Sequence, residues 1–196
     1  MGAIHIPPLN KFVETIARQC GVKTFIETGT YRGDAARWAA AIYPQVITVE
    51  ARPDYYNAVR EKSRSFSNID FLLGDSGQVL EQLAPTLVEP CLFWIDAHAG
   101  GGNFGNEDVC PLMAEIAAIN LSSPAHYILI DDARAFIAAV PPPFSAPVWP
   151  SLDQIIPALL QRHPYHIVLL NDAIIAVPQA AKELLVKFCM ETRPQI

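Results

Sequence analysis

The chain has 196 residues, 51% of them apolar and 17% charged, and a net charge of −6. That length suits one buried core better than two, so residues 1–196 read as a single domain whose first 22 residues form a helical extension. The acidic balance excludes a sequence-independent nucleic-acid surface, which needs clustered Lys and Arg. The densest basic stretch, Arg60, Lys62 and Arg64, is interrupted by Glu61 and reads as a solvated helix face. No apolar run reaches the roughly 18 residues of a membrane span, and the start Met1-Gly2-Ala3-Ile4 has no basic-then-apolar leader. Cys20, Cys91, Cys110 and Cys189 stand far apart, as reduced thiols rather than disulfides or zinc ligands. A soluble, cytoplasmic protein acting on a small molecule is expected, with neither nucleic acid nor membrane as partner.

In chain order, Leu9 to Cys20 carries Phe12, Val13, Ile16 and Ala17 at helical spacing. Short apolar runs then alternate with helical patterns. Strands are predicted at Lys23–Thr28, Val46–Ala51, Ile69–Gly74, Cys91–Asp96 and His126–Asp132. The helices between them are predicted at Gly33–Tyr43, Pro53–Arg64, Ser76–Leu83 and Asp108–Asn120. Such alternation means a parallel sheet with helices on both faces. The runs Phe93-Trp94-Ile95 and Tyr127-Ile128-Leu129-Ile130, apolar on both faces, belong at its centre. A Pro-rich loop from Pro141 to Pro150 leads to a helix over Ser151–Gln161. Two last strands, Tyr165–Leu170 and Ala173–Val177, are separated only by Asn171-Asp172, which demands an antiparallel hairpin. The expected fold is α/β: a doubly wound, Rossmann-like, seven-stranded sheet, mostly parallel and closed by that hairpin. The leading helix and the apolar stretch Leu184 to Phe188 are candidate homodimer contacts.

The ends of the first three strands carry a ligand-binding pattern. Glu27-Thr28-Gly29-Thr30-Tyr31-Arg32-Gly33-Asp34 is a strand, glycine turn and helix start, where backbone can approach a ligand and helix amides favour a polar group. Glu50, 21 positions after Gly29 and followed by Ala51, is placed to accept hydrogen bonds from both hydroxyls of a ribose. Gly74-Asp75-Ser76 can present a carboxylate and a hydroxyl at the third strand's end. Each has a plainer alternative: a turn glycine, a solvated loop acid, and an Asp that caps the helix after it. Tyr31 replaces the second glycine of a dinucleotide fingerprint, which argues against NAD.

These motifs and the terminal hairpin resemble the class I S-adenosylmethionine-dependent methyltransferases. The Glu-Thr-Gly-Thr-Tyr-Arg-Gly, Val-Glu-Ala-Arg-Pro-Asp and Gly-Asp-Ser-Gly-Gln-Val-Leu segments are most similar to the metal-dependent catechol-type and macrocin-type O-methyltransferases. The similarity covers roughly residues 23 to 134 by motif and runs to Pro178 by topology. It implies S-adenosylmethionine as cofactor, with Glu27 and Gly29 near its methionine part, Glu50 on the ribose and Asp75 with Ser76 near the adenine, and with Thr28, Thr30, Tyr31, Gly33 and Ala51 among the cofactor-binding residues.

The fourth and fifth strands end in Asp96-Ala97-His98 and Asp131-Asp132. Three carboxylates at one sheet edge repel one another unless a cation neutralises them, and oxygen ligands favour Mg²⁺ or another hard divalent ion. The resemblance places Asp96, Asp131 and Asp132 at metal-ligand positions, with Asp96 also beside the cofactor. Alternatively, Asp96 touches the cofactor while Asp131 and Asp132 hold loop amides. Catechol-type enzymes carry a Lys three residues after the first of these acids; here that position is Ala99, which leaves His98 as the substitute base or as a structural histidine. The catalytic candidates are therefore His98 and Asp96. The Gly-rich stretch 99–108 reads as a lid or a connection whose Asp108 caps the next helix, Arg134 as a partner for an acidic group or for Asp132, and Pro141–Pro150 with Trp149 as an apolar rim. The expected activity is metal-assisted O-methylation of a small hydroxylated acceptor. A metal-independent N- or C-methyltransferase and a nucleotide-binding module without turnover are the alternatives.

Overall fold

The computed structural model describes residues 4–98, 110–138 and 149–192. In chain order the elements are α1 (Leu9–Cys20), β1 (Thr24–Thr28), α2 (Asp34–Ala40), β2 (Gln45–Glu50), α3 (Pro53–Lys62), β3 (Ile69–Leu73), α4 (Ser76–Leu83), β4 (Leu92–Ile95), α5 (Leu112–Ile119), β5 (Tyr127–Ile130), α6 (Arg134–Ile137), α7 (Leu152–Leu159), β6 (Tyr165–Leu170), β7 (Ala173–Pro178) and α8 (Lys182–Thr192). The strands form one seven-stranded sheet in the order β3-β2-β1-β4-β5-β7-β6. β1 to β5 run parallel, and β7 pairs antiparallel with both β5 and β6. Two parallel neighbours need a crossover, whereas Asn171 and Asp172 both take positive φ (51° and 62°) and close a two-residue hairpin.

Strand alternation divides the core. Phe25, Leu92, Trp94, Tyr127, Leu129, Ile175 and Val177 face one side, where α1, α2 and α8 supply Phe12, Ile16, Ala36, Ala39, Leu185 and Phe188. Ile26, Phe93, Ile95, Ile128, Ile130 and Ile174 face the other, against Leu80 of α4, Leu112 and Ile116 of α5, and Ile155 and Leu159 of α7. Both faces of β4 and β5 are buried, which is why these strands read as unbroken apolar runs.

Several expectations shift. α2 stops at Ala40 rather than Tyr43, because Tyr43 turns inward to donate its hydroxyl to the Val13 carbonyl at 2.9 Å. α5 begins at Leu112, after Pro111, and the cap expected of Asp108 lies outside the described residues. The stretch Leu184–Phe188 lies in α8, a full helix that the pattern did not delimit. It packs on the leading helix, Phe12 and Phe188 stacking at 4.6 Å between centroids. Among the described residues no helix is long and apolar enough to cross a membrane.

The strand order reverses between β1 and β4, the neighbours at which crossovers leave in opposite directions. In open α/β sheets, the crevice beyond the carboxyl ends of such strands is where ligands bind.

Candidate active site

The turn after β1 is held by backbone. Gly29 and Thr30 donate their amides to the Val49 carbonyl of β2 at 2.9 and 3.1 Å, and Asp96 donates its own to the Thr28 carbonyl at 3.1 Å. Gly29 has φ +85°, and a Cβ there would stand 2.2 Å from the Asp96 carbonyl oxygen. Glycine is thus required twice, by dihedral and by the close approach of the β4 loop. Gly33 is similarly constrained: φ is +72° and a Cβ would meet Val59 at 2.2 Å.

Glu50 sits at the mouth of this turn and is 7% exposed. Its Oε2 accepts the Tyr31 amide at 2.8 Å and its Oε1 the Arg52 amide at 2.9 Å. A carboxylate offers about four acceptor sites, so one lone pair on each oxygen is left for a ligand's hydroxyls. Ala51, exposed, follows it. The Tyr31 ring, at φ 48°, meets Tyr55 edge-on at 5.0 Å, and the Arg52 guanidinium covers Tyr55 at 4.6 Å.

Glu27 is more deeply buried than Glu50. It is 2% exposed, and its Oε2 accepts the Thr48 hydroxyl at 2.6 Å, with the Thr30 hydroxyl 2.6 Å beyond. Burial pushes its pKa up to about 8, the Thr48 bond pulling down and Glu50 adding to the rise. Glu27 therefore braces the turn from beneath, as the proton-bearing end of a hydroxyl chain. At the end of β3, Asp75 is exposed and its Oδ1 accepts the Gln78 amide at 3.0 Å. The plainer reading of Asp75 as helix cap is realised, while Ser76 is buried.

The acidic edge is assembled, but not as a ligand triad. Asp96 lies close enough to Asp131, Glu27 and Asp132 that, after burial itself, their charges raise its pKa well above the carboxylate range. Asp131, 7% exposed, is raised to about 6, chiefly by burial, and its Oδ1 accepts the Asp132 amide at 2.8 Å. Asp132 is committed elsewhere. Its Oδ1 receives Arg134 at 2.6 Å and its Oδ2 faces His98 Nε2 at 3.4 Å, partners that hold its pKa below the usual range. Arg134 is in turn clasped by Asp172 of the hairpin. Among the described residues no group of three His, Cys, Asp or Glu side chains is arranged to hold a metal ion. Oxygen donors of the right chemistry are present, but an arginine and a histidine claim both oxygens of Asp132, so these side chains as placed do not fit a hard divalent cation.

His98 is 3% exposed, with its ring edge-on to Phe136 at 5.6 Å and to Trp149 at 5.5 Å. The remainder of the expected lid and of the Pro-rich rim lies outside the described residues. The sequence reading passed over Phe136, Thr48 and above all Glu115, which is fully buried in the first turn of α5. A signal existed for Glu115: Leu112, Glu115, Ile116 and Ile119 share one helical stripe, so the carboxylate had to point inward with the apolar residues.

No family model matches the sequence, and no curated protein is similar enough to match it. Solved structures do. An O-methyltransferase of Bacillus cereus in complex with S-adenosylhomocysteine is 19% identical, with a TM-score of 0.60 over 87% of this chain and 80% of that one. An S-adenosylhomocysteine-bound methyltransferase of Podospora anserina is 18% identical, with a TM-score of 0.58 over 88% and 82%. A precorrin-6y C5,15-methyltransferase of Geobacter metallireducens is 15% identical, with a TM-score of 0.53 over 87% of each chain. At such identities the likeness is one of architecture: the chain has the Rossmann-like fold of these methyltransferases.

Proposed function

We propose that this protein is an S-adenosylmethionine-dependent methyltransferase acting on a small hydroxylated acceptor, with His98 taking the acceptor's proton and no metal ion needed to lower the pKa of that hydroxyl. The observation that carries the reading is Glu50. Its carboxylate is fixed by the Tyr31 and Arg52 amides beside a glycine turn that only close backbone packing explains, with one acceptor site per oxygen left for a ribose. The solved structures of the same fold that carry S-adenosylhomocysteine support the choice of ligand.

When bound, the cofactor supplies a methyl group on a sulfonium, a positive centre that would favour the ionised forms of Asp96 and Asp131, which burial otherwise disfavours. Transfer to an acceptor hydroxyl forms an O–C bond as the C–S bond breaks, the electron pair leaving with sulfur and the acceptor proton passing to His98. Asp132, held by Arg134, which Asp172 clasps in turn, orients the imidazole, as a carboxylate does behind a general base. Because His98 is buried against Phe136 and Trp149, the acceptor has to displace these rings to reach it.

The test is calorimetric titration with S-adenosylhomocysteine, followed by transfer of labelled methyl from S-adenosylmethionine to a panel of hydroxylated and amine acceptors, with EDTA or with Mg²⁺. Binding, and transfer to hydroxyls that EDTA leaves unchanged, is expected. Absence of binding would sink the assignment. Transfer abolished by EDTA and restored by Mg²⁺ would reinstate the metal-assisted route, and binding without transfer to any acceptor would favour a module without turnover.

A further inference from the structure

At the end of the sheet away from the crevice, where β4, β5 and β6 begin, the chain closes around one side chain. His126, just before β5, is fully buried. Its Nδ1 accepts the Cys91 amide at 3.0 Å, and its Nε2 stands 2.7 Å from Ser122 Oγ, which in turn reaches the Leu87 carbonyl at 3.5 Å. Its own amide donates to the Tyr165 hydroxyl at 3.1 Å, and the Tyr127 amide donates to the Cys91 carbonyl at 2.9 Å. Phe93 meets the ring edge-on at 5.0 Å. One residue thus ties the loop before β4, the turn after α5 and the first residue of β6 to the start of β5.

The partners decide where the proton sits. A backbone amide can only donate, so Nδ1 is the acceptor and Nε2 carries the hydrogen; it goes to Ser122 Oγ, whose own hydrogen goes to Leu87. This chain closes only around a neutral imidazole. A second ring proton, on Nδ1, would set two N–H groups head to head 3.0 Å apart and leave a charge in a buried place. Among the described residues, no neighbouring titratable group offers that charge a partner. Cys91 is a buried thiol, its pKa pushed up to about 12 chiefly by burial, that turns to the Glu89 carbonyl at 3.4 Å. The Tyr165 hydroxyl is engaged by the His126 amide, and the exposed Glu89 carboxylate pairs with Lys23 at 3.3 Å. His163, edge-on to Tyr165 at 6.5 Å, repels a charge on His126 when it is itself charged. Burial first and His163 second hold the His126 pKa down to about 4, against an ordinary 6.5.

We propose that His126 is an acid-released latch: a proton taken up at Nδ1 breaks the bond to the Cys91 amide and opens the starts of β4 and β5 while the rest of the sheet holds. The closed ring stays neutral at a pH where an opened, solvated ring is charged, so opening takes up a proton between pH 6.5 and about 4. The latch is therefore fully closed above that window and is lost as pH falls through it. Glu27 works in the opposite sense over part of the same range. Tm sums the two, whereas local exchange separates them.

The experiment is amide hydrogen exchange of the full chain by NMR from about pH 7 to 4, each rate divided by the intrinsic rate at that pH, with long-range proton–nitrogen spectra of the imidazoles over the same series. The chain holds five histidines, and the His126 signals are assigned by their loss in His126→Asn. Wild type is expected to show His126 neutral, with its proton on Nε2, at about pH 6, and corrected exchange at Cys91 and Tyr127 that speeds up about tenfold per pH unit below 6.5, while amides of β1 and β2 do not follow. In His126→Asn, whose side-chain oxygen can take the Cys91 amide but does not titrate, that acceleration is expected to be absent. A ring that gains its second proton near pH 6.5 with Cys91 exchange unchanged, or Cys91 opening only in step with β1 and β2, would overturn the proposal. If the Asn variant fails to fold, Ser122→Ala assigns the ring and wild type alone decides: acceleration confined to Cys91, His126 and Tyr127 supports the latch, and a flat profile there overturns it.

Discussion

The two halves of the crevice are built differently. On the β1–β2 side, the polar groups are satisfied within the fold: Glu50 takes two backbone amides, the glycine turn takes the Val49 carbonyl, and Glu27 is closed by the Thr48 hydroxyl. On the β4–β5 side, carboxylates crowd one another, Asp132 depends on side-chain partners such as the half-exposed Arg134, and Thr28, His98 and Glu115 have bonds left to make. A site made rigid by backbone suits a ligand that never changes. Side chains with unspent hydrogen-bonding capacity suit a partner that completes them. This contrast is what the proposed division expects, with the cofactor in the first half and the acceptor and its proton in the second.

The comparison breaks most visibly at Gly29. Gly29→Ala puts a Cβ against the Asp96 carbonyl at a φ that disfavours it, and is expected to abolish binding of S-adenosylhomocysteine and to lower stability by about 3 kcal/mol. Calorimetry and urea unfolding measure the two effects. Next, Glu50→Ala removes the acceptor of two amides together with the proposed ribose contact. A loss of about 30-fold in S-adenosylhomocysteine affinity is expected by calorimetry, while the same change should leave the histidine NMR spectrum as it is.

A pH series sharpens the difference between the halves. Glu27 has a pKa near 8 in the folded chain, above its ordinary value of 4.5. The folded state therefore binds more protons than the unfolded one between those values, and stability falls as pH rises through that window. Glu27→Gln, which needs no proton, is expected to flatten the fall of Tm between about pH 5 and 8. A slope unchanged from wild type would show that the buried acid is already ionised. The smallest effect is at Arg134, whose side chain is 57% exposed. Arg134→Ala should cost no more than about 1 kcal/mol in urea unfolding, yet shift the His98 ring signals by freeing Asp132.

Much of the sheet was legible from sequence because strand periodicity and the two-residue gap at Asn171-Asp172 admit few topologies. Gly29 and Glu50 were legible too, since a turn glycine and a strand-end acid occupy positions that topology fixes. Glu27 was less so: period-two alternation puts it beside Phe25, on the face turned to Thr48, but the strand-end motif gives no sign of that partner. The Asp96, Asp131 and Asp132 set shares an edge as expected. Its orientation depended on an Arg134 bond to the hairpin that no local pattern encodes. Glu115 was missed because a lone acid in a helix is ordinarily taken as surface, and only its place among Leu112, Ile116 and Ile119 says otherwise.

The central claim is that the β1–β2 half of the crevice holds the adenosyl donor. Titrating labelled wild-type protein with S-adenosylhomocysteine while following backbone amides by NMR tests it most directly. The account predicts the largest shifts at Gly29, Tyr31 and Arg52, with Ser76 following. Shifts that spare these residues and cluster elsewhere, or no shifts at all, would contradict it.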